Sequence, residues 1–154
     1  MLGAVIPRQS TLSGPACRIA ILAQPRGATS IYPAVRAALG DAADAAGCRL
    51  SIEVVPPPAN SADAGDQAIW QDFDGVILPG GADMDRASAL IEAAATCRLA
   101  DIPTPGLCLG MQAMCIAAAR AVPQLRGAAM EEIEPQVPLR HCHVWTPPLL
   151  QGEK

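Results

Sequence analysis

Cys108 stands at the centre of Gly106-Leu107-Cys108-Leu109-Gly110. A G-x-C-x-G element suits a strand that turns sharply into a helix, because the flanking glycines tolerate the strained turn that exposes the middle residue. A thiol displayed in this way is a candidate nucleophile. The helix starting just after Cys108 directs its N-terminal dipole there and stabilises negative charge. The backbone N–H of Leu109 supplies half of an oxyanion hole. The plainer alternative is a small hydrophobe between two glycines, the usual state of a free cysteine. The strand-to-helix setting favours the nucleophile.

Pro79-Gly80-Gly81 forms a second constellation, directly after the apolar run Val76-Ile77-Leu78. Paired glycines let backbone N–H groups approach a bound carbonyl closely. Alone this is an ordinary turn. Beside a cysteine elbow it becomes a candidate second half of the oxyanion hole. His141-Cys142-His143 suggests metal at first sight, but adjacent ligands rarely serve one tetrahedral ion, so no metal and no cofactor is assigned. Asp41 and Asp44 read as solvated helix charges, and Asp83 and Asp85 as helix-start charges.

These residues need a scaffold, and the chain alternates in the manner of an α/β domain with a mainly parallel twisted sheet and flanking helices. Residues 18–23 form a short apolar run suited to a buried parallel strand. A helix follows from about Ile31, with Val35, Leu39, Ala42 and Ala46 on one face, Thr29 or Ser30 as cap, Pro33 in the first turn and Gly47 at the end. Residues 50–55 and 75–78 read as the next strands. A helix capped by Asp83 then runs to about Ala100. A strand framed by Pro103 and Pro105 leads to Leu107, and an alanine-rich helix spans 111–121. Trp70 and Phe73 are expected to pack beneath the 75–78 strand. After Pro123 no strand or helix is predicted. The division is a flexible leader (1–16), the α/β domain (17–137, its C-terminal part incomplete) and a proline-rich tail (138–154). In such sheets ligands bind beyond the carboxyl ends of the strands.

The composition fits one domain of 154 residues. A net charge of −4 argues against nucleic acid as a partner. No apolar run is long enough for a membrane helix, and Met1–Ile6 lacks the basic region of a signal peptide. The six cysteines form no C-x-x-C pair, so a cytoplasmic protein with reduced thiols is the expectation.

Residues 74–81, D-G-V-I-L-P-G-G, resemble the oxyanion strand of class I glutamine amidotransferases, and residues 105–112, P-G-L-C-L-G-M-Q, resemble their nucleophile elbow. The glutaminase domain of CTP synthase is the most similar branch. It shares the C-L-G-M-Q elbow, a helix ending like Ala119-Arg120, and an element spaced like Glu132-Ile133-Glu134-Pro135. The resemblance spans roughly residues 17–137. It implies that Cys108 attacks the side-chain amide of L-glutamine, that Gly80, Gly81 and Leu109 form the oxyanion hole, and that Gln112 and Glu132 hold the substrate. The ammonia released would pass to a separate synthetase domain or subunit for CTP formation.

The sequence departs from that pattern in two ways. The family's His-x-Glu element has no counterpart, since neither His141 nor His143 is followed by x-Glu. A thiol nucleophile without its base loses about 10²–10⁴-fold in rate, so the chain is expected to be inactive alone. Ala82 replaces the phenylalanine expected after the paired glycines. The alternatives are a non-catalytic binding or regulatory homologue and a truncated gene product. PfpI-like proteins also carry a cysteine elbow, but they place histidine directly after the cysteine, where this chain has Leu109.

Overall fold

The computed structural model describes residues 14–24, 32–81 and 86–130, and the backbone of 140–142. Strand β1 (Ala16–Leu22) lies at the centre of a parallel sheet. On one side it pairs with β2 (Arg49–Val55), from Ala16↔Arg49 to Leu22↔Val55. On the other it pairs with β3 (Gly75–Ile77), with Ile19 opposite Gly75 and Ile21 opposite Ile77. Gly14 and Pro15 are already tied to the sheet, since their carbonyls accept the Arg49 Nε and backbone N–H at 3.1 and 2.8 Å.

The segment 103–107 runs parallel to β3 as a further strand with one rung missing. Val76 N–H donates to the Pro103 carbonyl, Leu78 N–H to the Pro105 carbonyl, and Leu107 N–H to the Leu78 carbonyl, at 2.9, 3.0 and 2.9 Å. The missing rung is the one that Pro105 would donate, and proline has no N–H. Only the Leu78↔Gly106 bridge therefore stands as regular pairing.

Side-chain alternation gives the sheet two buried faces. Ile21, Ala23, Ile52, Val54 and Ile77 form one core, against which Val35 and Leu39 of helix α1 (Pro33–Ala46) pack. Ala20, Leu22, Val76 and Leu78 face helices α2 (Ala87–Leu99) and α3 (Leu109–Arg120) on the other side. These two helices bury Ala89, Ala93, Cys97, Ala113 and Ala117. Small side chains allow close helix approach, so few aromatics are needed. Trp70 is the largest fully buried residue; its indole N–H donates to the Ala64 carbonyl at 2.8 Å. Phe73 packs partly buried at the edge of that core, with the Arg18 guanidinium over its ring.

Several sequence expectations are corrected here. In α1 the buried positions are Gly40 and Ala43, while Ala42 and Ala46 are exposed. The helix has no side-chain cap: Tyr32 occupies the N-cap in the left-handed region (φ 54, ψ 57). An L-residue pays roughly 1–2 kcal/mol there. Gly47 ends the helix at φ 64, as expected. Helix α2 begins after Arg86, again without a side-chain cap, and Asp83 lies outside the described residues. Beyond Pro123, where no element was predicted, β4 (Ala129–Met130) pairs in parallel with β5 (Arg140–Cys142). Strands this short leave no periodicity to read.

Candidate functional site

The chain leaves β1 toward one side through α1 and β2, then returns past β1 to form β3. The crevice at such a reversal, outside the carboxyl ends of the two diverging strands, is the usual ligand position in α/β sheets. Here it lies where Tyr32 opens α1 and where Pro79-Gly80-Gly81 follows β3. A cavity of about 220 Å³ occupies it, lined by Leu22, Tyr32, Gly80, Gly81, Arg86 and Leu109 among others.

Cys108 directly precedes Leu109, which lines this cavity. The cysteine is exposed and takes φ 50, ψ −110, a conformation that non-glycine residues rarely adopt. Three glycines make the turn. A Cβ on Gly106 would meet Met114 Sδ at 2.6 Å and the Gly110 carbonyl carbon at 2.7 Å; one on Gly110 would meet the Leu78 carbonyl oxygen at 2.0 Å. A Cβ on Gly80 would lie 3.0 Å from the Cys108 Cβ. The elbow and the glycine turn are therefore in direct apposition, as the sequence expects.

Leu109 is the first residue of α3, so its N–H belongs to the first-turn donors that have no acceptor within the helix. Gln112 lies one turn on, its N–H donating to the Cys108 carbonyl at 3.1 Å. Residues four apart share a helix face, which sets the Gln112 side chain on the Cys108 side. Gly81 has φ 152, in the glycine-favoured region. Glu132 lies outside the described residues. The chain just ahead of it is held by Arg120, whose Nε donates to the Ala128 carbonyl at 2.7 Å. His141 contributes backbone to β5, and His143, Asp85 and Trp145 lie outside the described residues.

Two residues escaped the sequence reading. The Tyr32 hydroxyl donates to the Gly80 carbonyl at 3.0 Å across 48 positions. Arg86 lines the same cavity. No local pattern signals either one. Cys108 does not itself line the 220 Å³ cavity, which its neighbour Leu109 and the apposed Gly80 do, and it lines neither of two larger ones, of about 380 Å³ beside α1 and about 310 Å³ at the end of α2.

Burial pushes the Cys97 thiol up, partly offset by a hydrogen bond with Thr104. Burial, then the neighbouring Cys48 and Asp74, push Cys17 up as well.

The parallel sheet with helices on both faces is the fold of a class I glutamine amidotransferase domain. The model for the glutamine amidotransferase class-I family matches residues 34–150, and the chain belongs to that family. Its similarity is to the CTP synthase branch. A CTP synthase from Rhodococcus jostii is 36% identical over 119 residues, covering 77% of this chain and 20% of that protein. One from Streptococcus agalactiae is 43% identical over 67 residues, covering 44% of this chain and 12% of that protein. The chain thus spans a fifth or less of these relatives. The glutaminase domain of the Trypanosoma brucei enzyme, solved with bound acivicin, superposes with a TM-score of 0.69 over 81% of this chain and 48% of that one. At 24% identity this likeness shows the fold.

Proposed function

We propose that this domain binds L-glutamine in the crevice between Tyr32, Gly80 and Leu109, and that Cys108 attacks its side-chain amide. The thiolate adds to the amide carbon, and the tetrahedral oxyanion is met by the N–H groups of Leu109 and Gly81. Gln112 and Glu132 hold the amino-acid end of the substrate. The thiol's proton, carried through water, reaches the leaving nitrogen, so collapse to the thioester releases ammonia; water then adds to the thioester, releasing glutamate and restoring the thiol. The ammonia would serve a synthetase domain or subunit that forms CTP. The observation that carries this reading is the strained Cys108 backbone at the start of α3, set against Gly80. Strain of this kind persists where surrounding structure enforces it, and it clusters at active sites.

A second reading is a binding homologue without turnover. It is favoured by Ala82, which stands where the family pattern places a phenylalanine after the paired glycines. One experiment separates the two. L-Glutamine should protect Cys108 from iodoacetamide, mapped by peptide mass because Cys115 is also exposed. Ammonia release should vanish in Cys108→Ala. Protection without any release supports the binding homologue. Ammonia release undiminished in Cys108→Ala, or no protection of a folded chain, would refute a glutamine site at Cys108.

A further inference from the structure

We propose that Tyr32 is the positioning residue for the Gly80–Gly81 peptide, fixing the direction of the Gly81 N–H; this rests on the glutamine reading above.

The argument begins with the shape of a peptide unit. A trans peptide directs its C=O and the following N–H to opposite sides. No cis peptide occurs among the described residues. The Tyr32 hydroxyl holds the Gly80 carbonyl at 3.0 Å. The Gly81 N–H on the same plane is therefore turned away from the tyrosine. Gly81 has no side chain to bias that plane, and at φ 152 it occupies a region that glycine enters freely. Without an external hold the peptide can flip, and the flip would present a carbonyl oxygen where a donor is needed. The tyrosine supplies the hold. Preorganised donors are effective because nothing has to reorient as charge develops.

Tyr32 itself bears marks of this task. It sits where a helix ordinarily takes Ser, Thr, Asp or Asn, yet it caps nothing with its side chain. Its backbone takes the left-handed region despite an aromatic side chain. Its ring packs partly buried beside Val35 and Leu39 and also lines the cavity. An ordinary packing residue would need neither the strained backbone nor the polar tip aimed at the glycine turn.

The test compares two electrophiles on the full chain and on Tyr32→Phe. Acivicin is a chlorinated dihydroisoxazole amino acid. The thiolate forms a C–S bond, chloride leaves, and transient negative charge falls on the ring where an oxyanion hole can meet it. Iodoacetamide alkylates a thiol with no such requirement. Tyr32→Phe should slow acivicin labelling of Cys108 by about tenfold to a hundredfold, less than the roughly 10²–10³-fold seen when an oxyanion donor is removed outright, because the Gly81 N–H remains but loses its hold. Its iodoacetamide rate should stay within about twofold of the parent, because neither the exposed thiol nor the helix dipole is altered. A merely structural effect would move both rates together and would overturn the proposal. Equal acivicin rates in a folded Tyr32→Phe chain would also overturn it. A parent chain that iodoacetamide labels at Cys108 and acivicin does not would instead sink the underlying glutamine reading.

Discussion

Replacing Gly110 by alanine sets two effects against each other. Gly110 is the second residue of α3, and helix propensity alone favours alanine by about 0.8–1.0 kcal/mol. The structure predicts the opposite sign. The added Cβ would stand 2.0 Å from the Leu78 carbonyl oxygen, 2.6 Å from its carbon and 2.9 Å from its Cβ. Leu78 is fully buried, and that oxygen accepts the Leu107 N–H. The obstacle is backbone, so no rotamer change relieves it. The start of α3 would have to move outward by roughly 1 Å or more to restore an ordinary contact. Overpacking of this kind costs about 1–3 kcal/mol, occasionally more, and the strained Leu107 bond adds about 1 kcal/mol. The net expectation is a loss of about 1–3 kcal/mol after the propensity gain is offset. For a domain of this size that lowers Tm by roughly 2–12 °C. Urea unfolding and thermal melts followed by circular dichroism measure it. Gly127→Ala is the control, since nothing lies within 4 Å of a Cβ there and no unusual φ is involved. A Gly110→Ala chain as stable as the parent would refute the close approach of α3 to β3, and with it the geometry that presents Cys108.

Other outcomes follow from the same structure. Cys108→Gly should stabilise the fold by about 1 kcal/mol, because glycine accepts φ 50 without strain, while thiol labelling at that position is lost; denaturant midpoints and peptide mass check both. Burial raises the Cys97 thiol above the ordinary value near 9, so the folded state keeps its proton longer than the unfolded chain does. Stability is thus undiminished below pH 9 and falls as pH rises beyond it; Cys97→Ala should flatten that slope, leaving the part due to Cys17. Trp70→Phe should cost about 2 kcal/mol, since it leaves a void and deprives the buried Ala64 carbonyl of its donor, measured as a lower urea midpoint. Glu53→Gln should change stability by less than about 1 kcal/mol, because the Arg18–Glu53 pair is long at 3.5 Å and both side chains are solvated.

What the sequence makes legible is local. The apolar run at β1, the glycine that ends α1 and the glycine-flanked cysteine each declare themselves within a few residues. The face of α1 was read too broadly because alanine carries little signal. Close approach at Gly40 and Ala43 buries those two and leaves Ala42 and Ala46 in solvent. The strand at 103–107 is readable from its framing prolines, but the rung that Pro105 removes is visible only in the paired sheet. Tyr32 was beyond reach. Its cap position contradicts ordinary helix chemistry, and its partner lies 48 residues away. The pairing of β4 with β5 joins segments too short to show any period.

The central place of β1 has a consequence for how the chain acquires its structure. Each neighbouring pair in its sheet is parallel, so no hairpin can seed it, and each pairing closes a long loop. The Arg18 N–H donates to the Asp74 carboxylate across 56 residues. As synthesis proceeds, β1 and β2 emerge first and can pair while the other edge of β1 waits for β3. That edge is an adhesive surface for other nascent chains until residues 75–77 arrive. Topologies dominated by such distant contacts fold slowly. The yield of soluble protein should therefore depend on the pace of translation and on chaperone supply more than on the stability of the finished domain.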